Sequence, residues 1–424
     1  MFLRTVLAFA FLAVPIGARA AEAGSGQNPF GFPFEFVLFG LILLGVALAH
    51  RHALAVALTG LISIIAYELL VTGFPHGPGV LGLTAHFALE WVELTNLALL
   101  LLGFAVLANQ FEGSRIPDAI PALLPANWTA GLILLALIFV LSIFLDNIAG
   151  ALIGGVIARQ VYRERVSVGF LAGIVAAANA GGAGSVVGDT TTTMMWIGGV
   201  SPLDVAPAFL AAGAAFAVFG VFSAFQQHRY APELNRTGEP PCIDWIKGAV
   251  VLFMLFVLVL TNIVGNDRFA DVYATMPSLG LALWVSIGLS AFVRQPKWPV
   301  LREAAKGAAF LIALVACASL MPIETLPPAS WPVTFGLGAL SAAFDNIPLT
   351  ALAIRQGGYD WALLAYAIGF GGSMTWFGSS AGVALTNLYP EGRSVILWVR
   401  GGWYVPIAYA VGFFVLLAAR GWNP

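Results

Sequence analysis

The sequence predicts an all-α membrane protein built from two inverted-topology repeats, with about ten transmembrane helices plus two re-entrant hairpins and broken helices. Three observations carry this. The 424 residues are 60% hydrophobic and only 9% charged, against roughly 25% charge in soluble domains. Apolar runs long enough to span a bilayer recur throughout. A pair of motifs also occurs twice in the same order. LSIFLDN at Leu141–Asn147 returns as LSAAFDN at Leu340–Asn346, and GGAGSVVG at Gly181–Gly188 is matched by GGSMTWFG at Gly371–Gly378.

Composition narrows the class further. The net charge of −2 points to no partner, and no basic cluster suits nucleic acid. Cys242 and Cys317 are far apart and form neither a metal spacing nor a disulfide framework. Residues 1–20 read as a signal peptide: Arg4, an apolar run over Val6–Val14, then Ala18-Arg19-Ala20 as a small-residue cleavage pattern. An external lead-in follows over 21–33.

The first repeat covers 34–227. Its scaffold spans fall in 34–108: Phe34–Ala49, Ala53–Thr72 and Phe87–Ala108, with a basic turn at His50–His52 and a loop over Gly73–His86. The hairpin and broken helix fill 129–200. Thr129–Tyr162 is interrupted at Asp146-Asn147 and returns to the side it entered from. Ser167–Val200 carries a break at Asn179–Thr193, and Ala206–Gln226 closes the repeat. A cytoplasmic linker over 228–245 is rich in proline.

The second repeat, 246–420, follows the same plan. Its scaffold spans within 246–321 are Ile246–Gly265, Met276–Val293 and Gly307–Met321. A hairpin over Val333–Arg355 and a broken span over Trp361–Thr386 occupy 333–386, and Gly402–Ala419 is last. A hairpin does not cross, so each repeat crosses five times and the second starts on the opposite side. That is a common plan of secondary transporters. With the mature N-terminus outside, 14 basic residues fall inside and only Arg268, Arg355 and Arg420 fall outside, as the positive-inside rule requires.

An ionisable residue at membrane depth is a functional-site hypothesis by default. The oxygen-bearing residues at the breaks are Asp146, Asn147, Asp189, Thr190 and Thr191 in the first repeat and Asp345, Asn346, Ser379 and Ser380 in the second. Carboxylate, amide, hydroxyl and carbonyl oxygens suit a hard cation, whose ligands are assigned to Asp146, Asn147, Asp189, Asp345 and Asn346, and which the resemblance given below makes Na+. Gly181, Gly182, Gly188, Gly371, Gly372 and Gly378 are expected to let the chain turn sharply at the breaks and aim carbonyls at the ion. Pro348 suits the first turn of an outgoing half-helix. The first repeat has two acids where the second has one, because Gly188-Asp189-Thr190 aligns with Gly378-Ser379-Ser380. Neighbouring carboxylates can exchange a proton for a cation near neutral pH. Other polar residues have plainer readings. Thr192 and Thr193 fit back-bonded helix packing. Glu68, Glu90 and Glu93 fit interfacial or scaffold positions, and Asn179 is open between a helix-end cap and a ligand.

At these motifs the chain resembles NhaD-type sodium/proton antiporters of the ion transporter superfamily, which also holds arsenite and citrate/dicarboxylate carriers. The residues that carry the resemblance are FLDNI (144–148), AANAGGAGSVVGDTTTTMMWIGG (177–199), SAAFDNIPL (341–349) and GFGGSMTWFGSSAGVA (369–384). The resemblance implies a homodimer in the bacterial inner membrane, multi-pass and with a periplasmic mature N-terminus. It also implies an elevator-like movement of the hairpin-bearing part against the scaffold, and exchange of Na+ or Li+ for H+ with no cofactor. Its partners would be the lipid bilayer, an inorganic cation and a proton, with no nucleic acid. The chain departs from the family at Ala149-Gly150-Ala151, where threonine hydroxyls are usual after the first Asp-Asn. The alternative is a cation-coupled citrate/dicarboxylate or other anion transporter. Asp146 and Asp345 stand where the dicarboxylate carriers have serine, and that charge disfavours an anion. An intramembrane enzyme using paired aspartates is a different class. The symmetry of the acids and the surrounding glycines favour a carrier, not an enzyme.

Overall fold

A computed structural model describes residues 33–49, 52–74, 77–119, 124–232, 242–268 and 275–424. The signal-peptide reading over 1–20, His50 and Arg51 of the basic turn, and most of the proline-rich linker lie outside them. Among the described residues every named element is helical, and an isolated β-bridge joins Phe74 to Gly77.

The main helices are α1 (Phe34–Leu48), α2 (Ala53–Tyr67, continued by a π-helical turn over Glu68–Thr72), α3 (Gly79–Gly113), α4 (Thr129–Phe144), α5 (Asn147–Val161), α6 (Val168–Gly182), α7 (Thr190–Ile197) and α8 (Ala208–Tyr230). They continue with α9 (Trp245–Arg268), α10 (Ser278–Ala291), α11 (Val300–Ser319), α12 (Trp331–Ser341), α13 (Asn346–Gln356), α14 (Trp361–Gly371), α15 (Ser380–Leu388) and α16 (Tyr404–Arg420). A short helix over Val395–Gly401 leads into α16 at a bend of 61°.

Three helical stretches, Ala53–Thr72, Gly79–Gly113 and Pro202–Tyr230, are long and apolar enough to cross a membrane alone, and the bent pair ending in α16 makes a fourth. The other apolar helices have 10–17 residues. At 1.5 Å per residue a helix of that length falls short of a hydrocarbon core of roughly 30 Å, although α9 continues to Arg268 and is longer.

Two sequence boundaries are corrected. The supposed loop over Gly73–His86 is helical from Gly79, because the polar residues of α3, His86 among them, lie on a helix that continues to Gly113. The break in the first broken span is 183–189, narrower than Asn179–Thr193, so Asn179 stands inside α6.

Apolar packing divides into two clusters. The larger joins α4, α5, α6, α8, α14, α15 and α16 with parts of α3, α9 and α10. The smaller is built on α1, α2 and α11, and it takes in Met194 of α7 and Ile347, Ala351 and Leu352 of α13. α7 and α13 therefore join the two clusters, since Met195 and Trp196 of α7 and Leu349 and Ala353 of α13 belong to the larger one. Packing pairs α4 with α6 and α12 with α14, α5 with α15 and α7 with α13, and α6 with α8 and α14 with α16. One correspondence fails: α13 packs along α11, whereas α5 touches α3 only at its edge.

The six break glycines have a different purpose from the one expected. None has a positive φ. What they lack is room. A Cβ on Gly181 would lie 2.1 Å from the Phe139 carbonyl oxygen, and one on Gly371 would lie 2.1 Å from the Gly338 carbonyl oxygen. Cβ atoms on Gly182 and Gly372 would each meet a backbone carbonyl at 2.6 Å, that of Gly188 and Gly378 respectively. Close backbone approach at the crossing of hairpin and broken helix selects glycine there.

Candidate cation site

Four helix starts place the predicted residues. Asp146 is the N-cap of α5, Asp189 of α7, Asp345 of α13 and Ser379 of α15. Asp189 and Ser379 share an extended backbone, φ −143° with ψ 143° and φ −142° with ψ 151°. The sequence dictates these stops: α6 and α14 end in Gly-Gly, and an Asp or Ser then restarts the helix. Helix N-termini favour negative charge, so the carboxylates sit where backbone dipoles stabilise them.

The first-repeat residues form one connected network. Asn147 Nδ2 donates to Asp189 Oδ1 at 3.2 Å and to Asn179 Oδ1 at 3.0 Å. Asn179 Nδ2 in turn donates to Ser373 Oγ at 2.9 Å and Ser379 Oγ at 3.2 Å. Asn179 thus bridges the two motif pairs and does not cap a helix. Asn147, Asn179, Asp189, Ser373 and Ser379 are all buried. Within this network Asn147 Oδ1, Asp189 Oδ2 and Thr191 Oγ1 are buried and make no hydrogen bond within 3.5 Å, although the Thr191 hydroxyl is near enough to act on Asp189 as a donor. Two of them gather at one place, since a Cβ on Gly369 would lie 3.0 Å from Asp189 Oδ2 and 3.7 Å from Thr191 Oγ1. Buried polar atoms are nearly always partnered, and a set of under-bonded oxygens is what a cation needs.

The neighbouring threonines separate by role. Thr192 Oγ1 donates to the carbonyls of Ser185 and Asp189, and Thr193 Oγ1 to those of Val186 and Asp189. Their hydroxyls are consumed by the backbone, as the packing reading requires. Thr190 is buried at the start of α7.

The second-repeat residues sit differently. Asp345 Oδ2 accepts from Ser380 Oγ at 2.8 Å, and its Oδ1 accepts from the Ile347 amide at 3.2 Å. Asn346 is buried behind it, and its Nδ2 has no acceptor. Asp345 and Ser380 line a cavity of about 820 Å3 that also touches Ile148, Lys306, His52 and Asn387. Asp146, next to Ile148, is half-buried, whereas Asp189 is 1% exposed. Asp189 lies within electrostatic reach of both Asp146 and Asp345.

Sequence reasoning missed Ser373, Gly369 and Ser142. Ser373 had a signal, a hydroxyl directly after the Gly-Gly pair. Ser142 lies against Gly150, where a Cβ would meet its Oγ at 2.4 Å. That contact gives Gly150 a steric reason for standing where a threonine is usual. Among the described residues no group of three His, Cys, Asp or Glu could hold a metal, so any ion here rests on amide, hydroxyl and single carboxylate oxygens.

No family model matches the chain. Individual relatives do. Sodium/proton antiporter 1 of Arabidopsis thaliana is 26% identical over 395 residues, covering 83% of this chain and 66% of its own length. This chain therefore spans just under two thirds of that plant protein. The Na(+)/H(+) antiporter NhaD of Vibrio parahaemolyticus is 27% identical over 360 residues, 71% of this chain and 83% of its own. NhaD of Alkalimonas amylolytica is 25% identical over 400 residues, with 80% and 79% covered. With these relatives beside the four motif stretches, the chain is a relative of the NhaD-type sodium/proton antiporters.

Proposed function

We propose that the protein is a secondary antiporter exchanging Na+ or Li+ for H+ across the bacterial inner membrane. The observation that carries this is the under-bonded oxygen set of Asn147, Asp189 and Thr191 in a buried network. A hard cation satisfies those oxygens, and a proton on Asp189 satisfies part of them. Binding either one excludes the other, so exchange needs no separate proton path. Asp345 and Ser380 take the ion from the vestibule, and Asp146 stands between vestibule and buried network.

The two-repeat plan is supported by the paired packing of α5 with α15 and of α7 with α13. The vestibule lies on the face bearing His52 and Lys306, which the basic-residue bias assigns to the cytoplasm. On this reading the conformation described is inward-open. Exchange of the α11–α13 contact for an α3–α5 contact would produce the outward-open one, with the hairpin-bearing part moving against a dimeric scaffold.

The test is proton flux in everted vesicles, read by dequenching of a pH-sensitive dye, with Na+, Li+, K+ and citrate added in turn. Response to Na+ and Li+ supports exchange. Response to citrate alone would move the protein to the anion carriers.

A further inference from the structure

Position for position, the first broken helix carries Asn179, Gly181-Gly182, Asp189 and Thr191 where the second carries Gly369, Gly371-Gly372, Ser379 and Ala381. At each matched polar position the second repeat has the smaller residue. The two broken helices also meet in matched ways, since α6 packs on α15 and α14 on α7. At the first of these meetings Asn179 Nδ2 donates to Ser379 Oγ at 3.2 Å. The mate of that contact is position 369 against Asp189, and there the side chain is missing. A Cβ on Gly369 would stand 3.0 Å from Asp189 Oδ2 and 3.7 Å from Thr191 Oγ1. Outside the backbone of α14 and the residues flanking Gly369, no other heavy atom lies within 4 Å of that point. Both oxygens are buried and under-bonded.

Packing does not account for this glycine. Gly181, Gly182, Gly371 and Gly372 each have a backbone carbonyl from outside their own turn where a Cβ would go, whereas Gly369 faces two side-chain oxygens. Glycine inside a helix is less stable than alanine, so a helical glycine that no backbone selects calls for another reason. Asn346 registers the same absence. Its counterpart Asn147 donates to Asn179 Oδ1 at 3.0 Å. The matching acceptor for Asn346 would be a side chain at 369, and Asn346 Nδ2 is buried without a partner. The first repeat thus supplies oxygens and the second supplies room. Carboxylate and hydroxyl oxygens facing an open notch suit a hard cation, whereas a proton on Asp189 needs no such room. We propose that Gly369 leaves the seat of the cation, a notch against Asp189 Oδ2 and Thr191 Oγ1, and that residue 369 decides whether the site takes an ion or only a proton. The notch rests on the antiport reading and adds to it the position that sets cation specificity.

The experiment reads binding, not transport. Full-length protein is purified in detergent, and its melting temperature is followed as NaCl replaces choline chloride at constant ionic strength. Stabilisation by a ligand that binds only the folded state gives its Kd. A one-carbon change in a binding pocket discriminates by about 10- to 200-fold, so Gly369→Ala should raise the Kd for Na+ at least about tenfold. In choline chloride alone it should melt no lower than the parent. Gly369→Asn restores the amide of the mated contact, which donates to Asp189, and should show no response to Na+. Proton binding should survive in Gly369→Ala. Its acid-minus-base infrared spectrum in choline should keep the protonated-carboxyl band that Asp189→Asn removes, and loss of that band would mean a displaced Asp189 and overturn the notch. A Kd within twofold of the parent in Gly369→Ala would overturn it as well. If Gly369→Ala does not fold, Gly369→Asn decides alone, and a parent-like response there has the same force. If neither folds, packing selects the glycine and the notch is wrong. A parent protein that responds to Na+ beside an equally responsive Gly369→Ala removes the notch and leaves antiport standing. A parent that responds to neither Na+ nor Li+ removes the antiport reading itself, and the notch with it.

Discussion

Asn147 and Asp189, 42 residues apart, meet at 3.2 Å through Asn147 Nδ2 and Asp189 Oδ1. The first opens α5 and the second is the N-cap of α7. The bond uses one oxygen of the carboxylate and leaves the other under-bonded, so the pair is both a structural clasp and an unfilled acceptor.

Asp189→Asn and Asp146→Asn are expected to abolish Na+-driven proton movement while leaving membrane yield unchanged. Each keeps side-chain shape and removes the titrating group. Asp345→Asn should impair exchange without abolishing it, and Ser379→Ala should be milder, because one hydroxyl among many oxygens is lost. Dye dequenching in everted vesicles is the measurement. Wild-type exchange in both Asp146→Asn and Asp189→Asn would sink the shared-site mechanism.

Thr191→Val removes a single oxygen with almost no change in volume. The lost ligand is worth about 1 kcal/mol, so the apparent KM for Na+ should rise roughly fivefold. Thr192→Val and Thr193→Val change hydroxyls already bonded to backbone carbonyls. They should lower thermal stability and leave KM near the parent value, a contrast that separates ligand from packing threonines.

Apparent Na+ affinity should fall as pH falls, because protons and cations compete for the same carboxylates. On raising pH the affinity should climb and then level off once the coupled carboxylates are fully ionised. A cation titration at several pH values gives the curve. An affinity independent of pH would place the proton elsewhere.

Gly181→Ala and Gly371→Ala each drive a methyl to 2.1 Å from a carbonyl of a packed helix. Overpacking costs about 1–3 kcal/mol where neighbours can adjust, and backbone adjusts poorly. Both should lower the melting temperature and membrane yield of the purified protein. Gly40→Ala, whose Cβ would have no heavy atom within 4 Å, is the control expected to behave as the parent.

Opposite-face placement of the hairpin bases is checked with Arg165→Cys and Pro328→Cys in a cysteine-free background. Both positions are exposed, and Pro328 adjoins Pro327, whose carbonyl accepts from Gln356 at the end of α13. An impermeant maleimide should label the two from opposite sides of the membrane. Labelling from one side would break the inverted plan.

The parts of this architecture legible in the sequence are those written locally and written twice. Asp146-Asn147 and Asp345-Asn346 mark the hairpin tips because a polar pair interrupts an apolar run. The Gly-Gly pairs mark the breaks for the same reason, although their steric purpose appears only when Phe139 and Gly338 are seen against them. Asn179 was not resolved from sequence, since its partners Ser373 and Ser379 lie 194 and 200 residues away and no local pattern encodes such a meeting. The start of α3 was misplaced because Gly79, Gly82, Thr84 and His86 look like loop until they lie along one long helix. Glu68 read as interfacial or scaffold, and it is 2% exposed on a turn that packs against α3.

The vestibule is far wider than an alkali ion. An ion can therefore arrive at Asp345 still carrying its water, and nothing along the way sieves by size. Under the proposed mechanism discrimination falls on the final step, where hydration is traded for the oxygens of Asn147, Asp189 and Thr191. Potassium, abundant inside cells, would then visit the entrance freely and leave again. Its presence should register as weak, reversible competition and never as a plug.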